Sequence, residues 1–141
     1  MLDLTTTSVF GDIAGLAPLT RLAHLRVHET SVTGDVHGLA PLTQLTYLDL
    51  GSNGVSGDVA GLATLTQLTY LNLRGTSVSG DVAGLVTLTQ LAHFYVSSSQ
   101  DGGRISGDMA GFMVGKHGNG RRLIDVAVHR QSDRYLRREL M

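Results

Sequence analysis

The chain has 141 residues and a formal net charge of −1, with 42% apolar and 16% charged residues. That balance suits one domain with a buried core, and it excludes a disordered chain and the strongly basic footprint of a nucleic-acid binder. Cysteine and tryptophan are absent and aromatics make up 5%, so disulfides and thiolate metal sites are excluded and the core must be aliphatic.

At the start of the chain, Met1 to Phe10 lacks the basic stretch and long apolar run of a secretory leader. No segment approaches the roughly 18 apolar residues that would span a membrane. With the lack of cysteine, these features give the expectation of a cytoplasmic protein with no membrane insertion.

Gly-Asp pairs then punctuate the sequence. Gly11-Asp12, Gly34-Asp35, Gly57-Asp58 and Gly80-Asp81 follow one another at 23-residue steps, and Gly107-Asp108 follows at 27. A fixed period of this length predicts stacked structural repeats. Full copies run over 8–30, 31–53, 54–76 and 77–99, and Leu2-Asp3-Leu4 matches Leu48-Asp49-Leu50 as the tail of a further copy. In the second copy Val32, Val36, Leu39, Leu42, Leu45, Leu48 and Leu50 form the apolar columns; in the first they are Val9, Ile13, Leu16, Leu19, Leu22, Leu25 and Val27. Steps of three from Val36 to Leu48 predict a tight helical or irregular wrap, and the step of two from Leu48 to Leu50 predicts a short strand. One copy cannot bury these residues alone, so neighbouring copies must share a continuous core.

Leu45-x-x-Leu48-x-Leu50-x-x-Asn53-x-Val55 resembles the leucine-rich-repeat signature, and the following Ser56-Gly57-Asp58-Val59 resembles the plant-type subclass. The resemblance covers residues 2 to about 112. The asparagine column departs from the pattern, holding Thr30, Asn53, Thr76 and Ser99, and the cysteine-containing caps of secreted members are missing. The resemblance implies an α/β, right-handed leucine-rich-repeat solenoid: a short horseshoe with a parallel sheet on its concave face and short helical or irregular convex segments.

In such a fold Leu48 and Leu50 point inward, so alternate residues line the concave face. Three outward columns result: His24, Tyr47, Tyr70, His93; then Arg26, Asp49, Asn72, Tyr95; then His28, Gly51, Arg74, Ser97. The core columns barely change from copy to copy while these change type. Aromatics, histidine and arginine are the residues that dominate interface energetics. The candidate partner-binding residues are therefore His24, Arg26, Tyr47, Asp49, Tyr70, Asn72, Arg74, His93 and Tyr95.

The aspartates of the Gly-Asp pairs form a line of carboxylates. Calcium needs six or more oxygen ligands, and no acidic neighbours lie near each aspartate in sequence, so the expected role is a turn or cap that binds local amides. No catalytic or metal constellation is expected. His24 and His28 are roughly 13 Å apart along a strand, and His24 and His93 roughly 14 Å apart across three strands. Glycines recur as periodic turns rather than as a phosphate loop. Neither an enzyme nor a cofactor is expected.

Past Val96 the frame gains four residues, and Ser97 to Arg104 reads as a surface loop. Lys116 to Gly120 reads as another, Leu123, Val126 and Val128 restore a strand pattern, and Ser132 is placed to cap a short helix to about Met141. The expected organisation is a repeat array over 1–115, about five units with the first partial, and a degenerate cap over 116–141. Lys116, Arg121, Arg122, Arg130, Arg134, Arg137 and Arg138 make that last part basic. The sequence reading is a protein–protein interaction module that binds a protein or peptide on its concave face. The alternative is a structural or assembly unit, or a fragment of a larger receptor-like protein, with end-to-end self-association and no ligand surface of its own.

Overall fold

The computed structural model describes residues 1–97, 105–108 and 112, and the backbone of 125–129. The repeat wraps once per 23 residues and contributes to two parallel sheets. The first is six-stranded, in the order β1 (Leu2–Asp3), β3 (His24–Arg26), β5 (Tyr47–Asp49), β7 (Tyr70–Asn72), β9 (His93–Ser97) and β11 (Asp125–His129). The second is five-stranded, in the order β10 (Ile105–Ser106), β8 (Ser77–Asp81), β6 (Gly54–Asp58), β4 (Ser31–Asp35) and β2 (Phe10–Asp12). Between the sheets each turn of the solenoid runs through a 3-10 helix, at Ile13–Leu16, Val36–Leu39, Val59–Leu62 and Val82–Leu85.

The strand at Leu48 has the predicted register. Leu25, Leu48, Leu71 and Phe94 pair side by side and are fully buried. All seven apolar columns of the second copy are buried, as are those of the third. The first copy differs: Ile13, Leu25 and Val27 are buried, Val9, Leu16 and Leu22 are partly so, and Leu19 is 45% exposed. Leu19 was expected in the core. It lies at the end of the stack, where no preceding turn in the described residues covers it. At the other end Phe94 takes the place of leucine and packs edge-on against Phe112, with ring centroids 6.1 Å apart.

The sequence pointed to short helical or irregular convex segments; the 3-10 helices answer to the first, and the second sheet was not expected. Its glycines explain the Gly-Asp period. Gly34, Gly57 and Gly80 adopt φ of +101°, +100° and +114°, a region that side chains disfavour. A Cβ on Gly80 would also lie 2.5 Å from the Asp58 carboxylate of the preceding turn. Each aspartate in turn caps the 3-10 helix that follows it: the amides of Ala14, His37, Ala60 and Ala83 donate to Asp12, Asp35, Asp58 and Asp81 at 2.7–2.8 Å. The aspartates therefore hold backbone amides, and the glycines leave room for them.

The asparagine column works the same way with mixed side chains. Asn53 donates to the Val27 carbonyl and accepts from the Val55 amide; Thr30 and Thr76 donate to the carbonyls of Val27 and Leu73 at 2.8 Å. Strand β11 pairs in parallel with β9, from Asp125 opposite His93 to His129 opposite Ser97. Of the loop expected over Ser97 to Arg104, Ser97 instead ends strand β9; the rest of it, the loop at Lys116 to Gly120 and the helix from Ser132 lie outside the described residues. Among the described residues no helix is long and apolar enough to cross a membrane.

Candidate recognition surface

Alternation along β3, β5, β7 and β9 sends one set of side chains into the core and the other to the outer face of the six-stranded sheet. His24, Tyr47, Tyr70 and His93 stand in line there, because the register pairs His24 with Tyr47, Tyr47 with Tyr70, and Tyr70 with His93. His24 is exposed and the other three are half-buried. The Tyr47 and Tyr70 rings stack with centroids 4.1 Å apart and planes 6° from parallel. His24 stacks on Tyr47 at 6.0 Å, and His93 tilts against Tyr70 at 6.0 Å. Tyr95 joins from the neighbouring column, 5.4 Å from Tyr70. The outer face thus carries a continuous aromatic ridge over four strands.

The ridge changes its own chemistry. Burial under neighbouring rings, the hydrogen bond with Tyr47 and the nearby Asp49 charge push the Tyr70 phenol well above the usual tyrosine range.

The second column is not the surface row expected of it. Arg26 and Tyr95 are half-buried, but Asp49 and Asn72 are only 6% and 8% exposed. Short polar side chains cannot reach past the rings and guanidinium groups around them, so they turn to each other and to the backbone. Asn72 Nδ2 donates to Asp49 Oδ1 at 2.9 Å, the Gly51 amide donates to the same oxygen at 3.0 Å, and Asn72 Oδ1 accepts from the Arg74 amide at 3.0 Å. Asp49 and Asn72 therefore brace the sheet from beneath the surface.

His28, which the sequence placed beside the candidate residues but not among them, is drawn into this network. Its Nδ1 lies 3.4 Å from Asp49 Oδ1 and its Nε2 lies 3.3 Å from Glu29 Oε1. It leans over Gly51, where a Cβ would collide with the imidazole. The signal in the sequence was Gly51, set between His28 and Arg74 in its column. Arg74, half-buried, sets its guanidinium carbon 5.0 Å from the centre of the Tyr95 ring. At the edge of the sheet Arg26 pairs with Asp3 at 3.2 Å. Hydrogen bonds from the Thr5 hydroxyl and amide hold the Asp3 carboxyl below the usual range.

The arrangement offers contact area, hydrogen-bond donors and one aromatic-backed cation. Among the described residues no group of three or more His, Asp or Glu side chains is placed to hold a metal ion.

No protein-family model and no curated protein matches the sequence. Solved structures do match it. The leucine-rich-repeat ectodomain of the receptor kinase SOBIR1 from Arabidopsis thaliana aligns with a TM-score of 0.63 and 26% identity, over 75% of this chain and 57% of that one. The ectodomain of the plant membrane receptor kinase GASSHO1/SCHENGEN3 from Arabidopsis thaliana, in complex with CASPARIAN STRIP INTEGRITY FACTOR 2, aligns with a TM-score of 0.67 and 25% identity, over 80% and 13%. The ectodomain of the Arabidopsis receptor kinase HAESA, in complex with an extended IDA peptide hormone, aligns with a TM-score of 0.70 and 22% identity, over 90% and 20%. The chain thus spans less than two thirds of the length of each. The comparison corrects the cytoplasmic expectation. The similar structures are ectodomains of plant receptors, which points to an extracellular rather than a cytoplasmic place.

Proposed function

From the premise that the chain is a leucine-rich-repeat protein whose 23-residue repeats resemble the plant-type subclass, we propose that it is a protein-interaction module, not an enzyme, and that it binds a protein or peptide on the outer, concave face of its six-stranded sheet. The observation that carries the reading is the ridge of His24, Tyr47, Tyr70, His93 and Tyr95, a run of stacked rings on a rigid sheet. Rigid aromatics with polar tips give contact area at low entropic cost. Of the nine candidate residues, His24, Arg26, Tyr47, Tyr70, Arg74, His93 and Tyr95 make the contact surface, and Asp49 and Asn72 support it. That similar structures were solved in complex with a peptide hormone supports the same class of partner here.

The test is a paired substitution on each side of the solenoid. Tyr47→Ala with Tyr70→Ala should abolish capture of a partner from the native source, while Asp35→Asn with Asp58→Asn, on the opposite edge, should leave it intact. Both variants are first shown to melt cooperatively. The reverse pattern would overturn the concave assignment.

One observation favours a second reading, assembly through the ends. At the first turn Phe10 is 81% exposed, and Leu2, Leu4, Leu16 and Leu22 are only partly buried. Concentration-dependent assembly that Phe10→Glu dissolves, and that the tyrosine pair leaves unchanged, would establish it.

A further inference from the structure

The charges of the outer face are unequally satisfied. Among the described side chains, each carboxylate on or beside it has a polar partner. Asp3 pairs with Arg26 and accepts from the Thr5 amide and hydroxyl. Asp49 is buried and accepts from Gly51 and Asn72. Glu29 meets His28 at 3.3 Å. Arg74 is different. Among the described residues no carboxylate pairs with its guanidinium; it rests on the Tyr95 ring, and its Nε is buried without an acceptor. The ring fixes the guanidinium plane without neutralising it, so the outward donors are held ready for an incoming anion. The other polar groups beside it on the ridge are phenols and imidazoles, which can donate hydrogen bonds as well as accept them.

Resting on the concave reading above, we infer that the partner is an acidic peptide segment, laid across the strands along the aromatic ridge, with a carboxylate in a forked hydrogen bond to Arg74. A basic segment would bring like charge against the unpaired Arg74 guanidinium. A neutral one could offer Arg74 only carbonyl oxygens, a weaker bond than the charge-assisted one to a carboxylate. Specificity then comes from Arg74, and contact area from Tyr47, Tyr70 and Tyr95.

Three ten-residue Ser-Gly peptides, carrying a central pair of Glu, Gln or Lys and otherwise identical, separate the possibilities. Each is titrated into the full chain while the ring resonances of Tyr47, Tyr70 and Tyr95 are followed by NMR. The Glu peptide should shift these rings, bind at least roughly tenfold more tightly than the Gln peptide, as a charge-assisted bond implies, and weaken between 50 and 500 mM salt, taken as roughly a threefold change in Debye length. Arg74→Gln should erase the preference. Arg74→Lys, which keeps the charge and the fold but loses the fork, should retain part of it and so covers the case in which Arg74→Gln unfolds the chain. Equal or tighter binding of the Gln or Lys peptide at these rings overturns the acidic class and leaves the concave reading standing. Shifts confined to residues off the ridge, or no shift from any peptide at millimolar concentration, overturn both.

Discussion

The Gly-Asp pair shows how much a single residue can carry when it recurs in every turn. Gly80 has a positive φ and no room for a Cβ beside the Asp58 carboxylate, so Gly80→Ala should destabilise by about 1–3 kcal/mol, in the range of a strained backbone position. Asp58→Ala loses a cap and should cost about 1 kcal/mol. The two residues touch, so the double variant should be less damaged than the sum, because removing the carboxylate makes room for the methyl group. Urea denaturation of the three variants checks this; strict additivity would mean that the contact carries no strain. Tyr70 gives a pH prediction. Its phenol is raised above the ordinary tyrosine range by burial first and by Tyr47 and Asp49 after that. Below about pH 10 the phenol is protonated in both the folded and unfolded chain and adds no pH dependence. Above it the unfolded chain releases the proton first, so stability falls as pH rises, and Tyr70→Phe should flatten that fall. Spectrophotometric titration should find a tyrosine that ionises above the usual range and that Tyr70→Phe removes. If Tyr70→Phe removes only an ordinary tyrosine ionisation near pH 10, the packing of the ridge is wrong.

Elements were legible in proportion to how strongly their side chains repeat. The strand at Leu48 was readable because two buried leucines flank an outward residue in copy after copy, and the pairing of Tyr47 with Tyr70 follows from that alone. Leu48 lies fully buried between Leu25 and Leu71, and Leu48→Ala should cost roughly 2–5 kcal/mol. In a short array that loss should appear as a large fall in melting temperature, and an unchanged melt would contradict the register. The second sheet was hidden. Its strands, such as Ser31–Asp35, bury one side chain, Val32, and carry a glycine, so they read as turns. Their pairing depends on backbone bonds between turns, which leave no side-chain pattern. The turn after each first-sheet strand was hidden for a similar reason: Thr6, Glu29, Ser52 and Gly75 all sit at φ between 53° and 64°, yet only the last is a glycine. The carboxylate line of Asp12, Asp35, Asp58 and Asp81 was read as caps, and the structure has each bound to an amide. Millimolar calcium should accordingly leave the melting temperature unchanged, and a rise that a chelator reverses would contradict the cap assignment.

At the scale of the whole molecule, stacking does two things at once. It gives the apolar columns a continuous core, and it brings residues 23 positions apart into lateral contact on the outer face. That is why a ridge of five rings can form from residues that are never neighbours in sequence. The position of each candidate in its column was legible; its depth was not. Asp49 and Asn72 look like surface residues by alternation, yet both are buried and bonded to each other and to the backbone. Depth depends on neighbours from two turns at once, and a reading of single columns cannot supply it. The central claim is that the outer face of the six-stranded sheet is the surface a partner covers. Hydrogen–deuterium exchange on the chain with and without its captured partner tests this most directly. Protection should concentrate on residues 24–28, 47–51, 70–74 and 93–96, with the amides at Ala14, His37, Ala60 and Ala83 unchanged. Protection of those capped amides, with the six-stranded sheet unaffected, would contradict it.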